Sequence, residues 1–487
     1  MPELPEVETV RRVLESWCLN KKIKKVYVYY SPIVNNVSCE ELNLKLVNQD
    51  ILKVDRKGKF LIFRLNDYSL VSHLRMEGKW HYGHFKDNNS INDGIIFDPL
   101  DKISKDSKHV HFAIEFSDGH LLMYHDVRKF GRIEIFNKDE CYTKEPLTRL
   151  GYEPFDSLIT PSYLVDKLSK FKGTIKEALL DQSIMSGLGN IYCDEVLFAT
   201  NLLPSILAKE INLNKAEQLI KESIRILNKA IELGGSTIKS YHAANSVDGK
   251  FQNVLQVYGR EKQNCLVCNS LIFKTRLGGR GTHFCPSCQK SFIKNRVVGV
   301  TGFIGSGKST VCKEFEKHGY EILDADKITF EAQRKNQYLY NKMLKIFKNY
   351  DILDNNLDLN RSLIRSIIIN DNNLDRKLKE LVHEYVYNYI FEELFKNPNK
   401  KYVLDVPLLF ESHINEICDK IILVECDDDV LISRLKNRNT MSIEDALIFK
   451  EKQKESLNYK KIDVIINNNS VIELNKSIND IIVSFNN

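Results

Sequence analysis

The sequence predicts a multidomain chain: a β-rich domain, a helical domain, a short cysteine-bearing hairpin and a parallel α/β domain. Three observations carry that prediction. Apolar residues occur in short alternating runs from Lys22 to about Phe136, then take a helical period from about Ser162 to Leu233. Four cysteines stand as Cys265-x2-Cys268-x16-Cys285-x2-Cys288. From Arg296 onward, apolar strand-like runs alternate with helical stretches, the signature of a parallel sheet. A length of 487 residues agrees, since single cores stop growing near roughly 250–300 residues.

The elements follow in order. Val7–Trp17 has apolar residues at helical spacing. Runs such as Phe60–Leu65 and His111–Phe116 alternate as strands do, and Gly/Asp/Asn breaks such as Asp87–Gly94 separate them. Helices are expected over Thr174–Asp181, Asn190–Thr200 and Lys215–Leu233. Beyond the cysteine hairpin, strands are expected at Val297–Thr301, Glu321–Leu323, Tyr402–Asp405, Ile421–Glu425 and Val464–Ile466, with a helix from Lys308. Asn355–Asn356 and Asn467–Asn469 read as turns.

Composition narrows the function classes. With 43% hydrophobic and 28% charged residues there is enough apolar material for packed cores, and no run of 18 apolar residues for a membrane span. Met1–Val10 carries three glutamates where a targeting signal would carry basic and apolar residues, so the expected location is cytoplasmic. The net charge of +5 divides into +7 for residues 1–295 and −2 for 296–487. Phe251–Asn295 alone holds seven basic residues against one acidic, which suits a polyanion. A solvated, lysine-rich loop is the plain reading of the same charge.

Eleven cysteines is an odd number in a large chain, which argues against a disulfide framework. Seven are scattered and fit small core positions. The other four can close a tetrahedral thiolate site, for which zinc is the expected ion in a structural role. Such a site would hold the turn bearing Lys274, Arg276 and Arg280 rigid, for a nucleic-acid groove or simply as a folding staple. At the other end, Pro2 follows the initiator. Once Met1 is removed, Pro2 offers a secondary amine able to attack a deoxynucleoside C1′, with Glu3 near enough to move protons. An ordinary frayed terminus is the alternative.

Pro2-Glu3-Leu4-Pro5-Glu6-Val7-Glu8-Thr9, Leu188-Gly189-Asn190-Ile191-Tyr192, Gln256-Val257-Tyr258-Gly259-Arg260 and the four-cysteine hairpin, in that order, resemble the bacterial formamidopyrimidine-DNA glycosylase family over roughly residues 1–290. The resemblance implies a β-sandwich (1–140), a helix-two-turns-helix domain (141–260) and a zinc finger (261–292). It implies Pro2 as Schiff-base nucleophile, Glu3 as acid/base partner, Lys59 as proton donor in strand cleavage, and Arg280 gripping the phosphate beside a lesion. Met76, Arg128 and Phe130 match a void-filling trio, and His109 and Asn190 match DNA-backbone contacts. The implied partner is damaged double-stranded DNA carrying oxidised purines such as 8-oxoguanine and formamidopyrimidines, with strand cleavage by β,δ-elimination. Val127 stands where the family often has proline, which is expected to loosen that turn, and Lys129 replaces an arginine. Leu4 and the trio favour this family over its sister, endonuclease VIII, which acts on oxidised pyrimidines. If Met1 were retained, the same residues would make a DNA-binding module without glycosylase activity.

Gly302-Phe303-Ile304-Gly305-Ser306-Gly307-Lys308-Ser309 follows an apolar strand and opens a helix, the context that makes a phosphate-binding loop. Gly305, Ser306, Gly307 and Thr310 are expected around ATP, Lys308 on its β/γ charge and Ser309 on Mg²⁺. Asp324 and Asp326 lie at the end of the second strand, where one could deprotonate an acceptor hydroxyl or simply form a turn. With Leu381-Val382-His383 and Val406-Pro407-Leu408-Leu409-Phe410-Glu411, the segment 296–487 resembles dephospho-CoA kinase. That resemblance implies transfer of a phosphate from Mg-ATP to the 3′-hydroxyl of dephospho-CoA, with Asp326 as general base and Lys308 and Arg438 stabilising charge. Phe303 replaces a usual glycine, Glu384 a usual proline, and the segment after Arg434 is thinner in arginine than the family pattern. A different nucleotide kinase or a DNA-stimulated NTPase is the alternative for this unit.

Overall fold

The computed structural model describes residues 2–84, 109–236, 249–293, 295–303, 305–436, 450–451, 453–455 and 457–486. Arg438 and the Asp87–Gly94 breaks lie outside the described residues. The chain divides into two compact units, Met1–Gln289 and Lys290–Asn487.

The first unit begins with helix α1 (Leu4–Cys18), which starts three residues ahead of the apolar periodicity. Pro5 sits in its first turn, where a missing N–H costs no hydrogen bond, and the Glu6 carboxylate accepts from Glu3 N at 2.8 Å. Strands β1 (Ile23–Val28), β2 (Ile51–Lys57), β3 (Phe60–Leu65), β4 (Tyr68–His73), β5 (Lys79–His84), β6 (Val110–Phe116), β7 (His120–His125) and β8 (Arg132–Asn137) follow, with helix α2 (Cys39–Leu46) after β1. They form two antiparallel four-stranded sheets, ordered β1-β6-β7-β5 and β2-β3-β4-β8. Val26, Phe112, Ile114 and Leu122 of one sheet and Val54, Phe63, Leu70 and Ile133 of the other meet in one core, with Val7, Val10 and Leu14 of α1. This is the expected sandwich: one face of each sheet is apolar, and burying each such side chain stabilises by about 1.5–3 kcal/mol.

Helices α3 (Pro161–Ser169), α4 (Ile175–Leu180), α5 (Asn190–Ala199) and α6 (Leu213–Glu232) form the helical part. Thr174 stays outside α4 because its side chain caps it, accepting from Glu177 N, and Asn212 does the same for α6 through Lys215 N. Between α4 and α5 the chain makes two turns held by Gln182. Its amide donates to Leu180 O at 3.0 Å and Leu188 O at 2.8 Å and accepts from Gly187 N at 2.9 Å. Strands β9 (Phe273–Leu277) and β10 (Arg280–Phe284) form the cysteine-flanked hairpin. None of the eleven cysteines is in a disulfide.

The second unit is built on β11 (Val297–Gly302), β12 (Tyr320–Asp324), β13 (Lys401–Asp405), β14 (Lys420–Glu425) and β15 (Val464–Asn467). All pairings are parallel and the order is β12-β13-β11-β14-β15, so the strand leading into the glycine-rich loop is central. Helices α7 (Lys308–Lys317), α8 (Ala325–Ala332), α9 (Tyr338–Ile346), α10 (Arg361–Asn370), α11 (Asn372–Lys396) and α12 (Asp428–Lys436) punctuate it, and Val471–Asn486 closes the chain. Val298, Val300, Val403, Ile422 and Val424 pack with Val311 and Phe315 of α7 and with Ile478 and Ile482 of the last helix. Such a sheet binds ligands beyond the carboxyl ends of its strands, where Gly302, Asp324 and Asp405 lie.

Candidate active sites

In the first unit, Pro2 is buried and precedes Glu3, which is 2% exposed. The Glu3 carboxylate lies over the start of α5, accepting from Gly189 N at 2.6 Å, Ile191 N at 2.9 Å and Tyr192 N at 3.4 Å. Free N–H groups and the helix dipole make that end a natural carboxylate seat. Gly189 permits the approach, for a Cβ there would stand 2.3 Å from Glu3 Cδ. Burial raises Glu3 to about 7; Lys59 opposes the rise, Glu6 adds to it, and the N–H donors oppose it. Glu6 in turn accepts from Tyr192 Oη at 2.5 Å and Ser236 N at 2.7 Å.

Lys59 occupies the two-residue Gly58-Lys59 loop joining β2 and β3. Its Nζ is buried and donates to Leu188 O at 2.6 Å, the carbonyl that Gln182 also holds. Burial lowers its pKa, Glu3 and Glu6 oppose, and the Arg280 charge adds to the fall. Behind the loop, Arg56 grips Glu153 at 2.6 and 2.9 Å, and Glu153 also accepts from Gly58 N at 2.6 Å. Arg280 stands at the mouth of the β9–β10 hairpin, exposed, beyond Gly278-Gly279. The hairpin is fastened to α5: Asn190 Nδ2 donates to Gly281 O at 2.8 Å, and Asp194 accepts from His283 N at 2.8 Å. A fully buried Lys176–Asp194 pair at 2.6 Å donates a further bond, 3.0 Å, to Gly281 O.

Met76 and the pair Arg128 and Phe130 lie on two loops that close on Tyr124. A Cβ on Gly78 or Gly131 would stand 1.9 or 2.1 Å from Tyr124 Oη. Phe130 is 47% exposed, and the Arg128 guanidinium lies 4.8 Å from its ring centroid. Val127 was expected to loosen this turn, but the Asp126 carboxylate accepts from Arg128 N at 3.0 Å, Phe130 N at 2.9 Å and Gly131 N at 2.8 Å. Lys129 extends over the Tyr30 ring at 4.8 Å. His109 is half-buried against His125, ring centroids 5.5 Å apart.

The sulfurs of Cys265, Cys268, Cys285 and Cys288 lie within 4.8 Å of one another, with Cys265–Cys288 at 3.9 Å and Cys268–Cys285 at 3.4 Å. A tetrahedron of Zn–S bonds of about 2.3 Å has edges of about 3.8 Å, so the donor set fits structural zinc.

In the second unit, Lys308 Nζ donates to Gly302 O at 3.1 Å and Phe303 O at 3.3 Å, so it lies across the glycine-rich loop. Ser309 Oγ donates to Asp405 Oδ2 at 2.8 Å. Asp324 caps α8, accepting from Asp326 N at 2.9 Å and Lys327 N at 3.0 Å, which presents Asp326 at the strand end. Desolvation and the Asp324 charge raise the Asp326 carboxyl, and Lys308 opposes. Gly305, Ser306, Gly307 and Thr310 complete the loop and its helix start. Asp405 is a functional candidate that motif spacing missed, although a carboxylate ending an apolar strand, Tyr402-Val403-Leu404-Asp405, was the available signal.

Sandwich, helix pair and cysteine hairpin around one buried carboxylate define the class of the first unit: a helix-two-turns-helix protein with a zinc finger. Residues 1–133 match the formamidopyrimidine-DNA glycosylase N-terminal domain, 150–242 its H2TH domain, and 262–290 the zinc finger found in FPG and IleRS. Residues 296–473 match dephospho-CoA kinase. The formamidopyrimidine-DNA glycosylase of Halalkalibacterium halodurans is 43% identical over 291 residues, 60% of this chain and 100% of that protein. The one from Bacillus licheniformis is 45% identical over the same shares. Among solved structures, a Lactococcus lactis FPG mutant bound to Fapy-dG containing DNA has a TM-score of 0.52 at 38% identity, covering 59% of this chain and 99% of that one. The L. lactis Fpg complex with abasic-site DNA has 0.51 at 37%, covering 59% and 100%. The chain belongs to the formamidopyrimidine-DNA glycosylase family, and it carries a dephospho-CoA kinase domain after the zinc finger.

Proposed function

We propose that the first unit removes oxidised purines from duplex DNA and cleaves the strand. Once Met1 is removed, the Pro2 nitrogen attacks C1′ of the damaged nucleoside, and the base leaves with the proton given up by that nitrogen, forming an aminal; the C1′–O4′ bond then opens, O4′ taking a proton from Glu3, to leave an iminium between Pro2 and C1′. Loss of a C2′ proton then expels the 3′-phosphate, and a second elimination expels the 5′-phosphate. Glu3 moves protons at the sugar, Lys59 supplies a proton during cleavage, and Arg280 holds the adjoining phosphate. Met76, Arg128 and Phe130 fill the space left by the everted nucleotide, while His109 and Asn190 meet the backbone. One observation carries the reading: the residue next to Pro2 is a buried carboxyl raised to about 7, able to accept and donate a proton near neutrality. Relatives of 43% and 45% identity that are formamidopyrimidine-DNA glycosylases support purine over pyrimidine lesions.

The second unit phosphorylates the 3′-hydroxyl of dephospho-CoA. Asp326 takes the hydroxyl proton, the oxygen attacks the γ-phosphorus of ATP, and ADP leaves. Lys308 neutralises the phosphate charge, with Arg438 assigned the same task. Ser309 and Asp405 are the residues that would hold Mg²⁺, which when bound offsets β- and γ-oxygen charge. Cleavage of a duplex containing 8-oxoguanine, alongside an ATP acceptor screen, tests both halves. A chain that cleaves only oxidised-pyrimidine duplexes, or phosphorylates a nucleotide but not dephospho-CoA, contradicts the corresponding half.

A further inference from the structure

We propose that Asn468 is a positioning residue for the phosphate loop of the second unit, setting the orientation of the Ser306–Gly307 peptide. Asn468 follows β15, is 2% exposed, and belongs to the asparagine run that reads as a turn. Its Nδ2 donates to Ser306 O at 2.8 Å. Arg434 Nη1 donates to the same carbonyl at 3.2 Å, and Arg434 Nη2 donates to Asn468 O at 2.9 Å, closing a ring of three groups. Asn469 braces the run by accepting from Asp427 N and donating to Asp427 Oδ2, both at 2.9 Å.

The consequence follows from peptide geometry. In a planar trans peptide the C=O and the next N–H point in opposite directions. Two donors pulling Ser306 O toward Asn468 therefore turn the Gly307 N–H to the other side of the loop, as an anion-binding loop requires. Gly307 has φ of +89°, and a Cβ there would stand 2.1 Å from Asn468 Nδ2. The backbone thus adopts a conformation favouring glycine against a side chain that leaves room only for glycine. A flip of this peptide would replace a donor with a carbonyl facing phosphate, so Asn468 acts on the phosphates through the backbone.

The inference rests on the Mg-ATP reading of this unit and is tested on the full chain with three probes: ATP, inorganic tripolyphosphate and AMP. Asn468→Ala removes the donor without adding charge, and Asn468→Asp keeps the shape. Both are expected to raise the dissociation constants of ATP and tripolyphosphate by about 10- to 100-fold, the value of one charge-assisted hydrogen bond, and to leave AMP unchanged. In turnover, KM for ATP rises while KM for the acceptor stays constant. Equal weakening of ATP and AMP with tripolyphosphate unaffected would place Asn468 on the nucleoside and overturn the proposal, as would variants that bind all three probes like the parent. Failure of the parent chain itself to bind ATP overturns the kinase reading, and the proposal with it.

Discussion

Glu3→Gln separates the electrostatics of the first site from its chemistry. The Glu3 carboxyl rests at about 7 in the folded chain against an ordinary 4.5, with burial as the main cause. A raised carboxyl binds its proton more tightly when folded, so its contribution to stability is complete below about pH 4.5 and is lost as pH rises through 7. Between pH 5 and pH 8 the loss comes to about 2–3 kcal/mol. Glutamine does not titrate, and its constant costs, such as an amide facing one of the N–H donors, cancel when the variant is compared with itself across pH. A unit of about 290 residues unfolds with an entropy of about 0.6 kcal/mol per kelvin, so the melting temperature of Glu3→Gln relative to the parent should climb by about 4 °C from pH 5 to pH 8. Scanning calorimetry reads this directly, taking the transition that shifts on adding a zinc chelator. Base excision by the variant should be lost throughout. Parallel melting profiles at both pH values would refute the argument, because they would mean that folding leaves the carboxyl's affinity for protons unchanged.

Glu153→Gln breaks the bidentate grip on Arg56 and weakens the bond to Gly58 N; we expect about 2–3 kcal/mol of destabilisation in urea and at least tenfold slower cleavage of a preformed abasic site, as the Lys59 loop loses its brace. Stripping zinc with a chelator should abolish binding of lesion duplex, since Arg280 hangs on the cysteine hairpin, while KM for ATP in the kinase assay stays unchanged. Asp405→Asn should lower phosphoryl-transfer kcat by about 100-fold and demand more Mg²⁺ for half-maximal rate, because Ser309 then faces an amide in place of a carboxylate.

Much of the fold was legible because its cues are local. The period-two runs marked β3 to the residue, and the β/α alternation placed all five strands of the parallel sheet to within two residues at either end. The cysteine spacing and the glycine-rich loop were legible for a related reason: metal geometry and positive φ constrain which residues can stand there. What stayed hidden depends on contacts between distant positions. Glu3 meets its donors across 186 to 189 residues, and Arg56 meets Glu153 across 97, distances no window in the sequence spans. Only the folded loop shows Asp126 tying the N–H groups of Arg128, Phe130 and Gly131 in the turn where Val127 stands. Asn468 looked like turn composition because its partner, Ser306 O, lies 162 residues earlier.

The chemistry of the first unit stands on the nitrogen of residue 2 forming the covalent bond to damaged DNA. Full chain incubated with a duplex containing 8-oxoguanine in the presence of borohydride, then digested and mapped by mass spectrometry, tests it most directly. A reduced sugar adduct is expected on the peptide beginning at Pro2, with Met1 absent. An adduct on a lysine such as Lys59, or no adduct on a chain that binds the duplex, would contradict it.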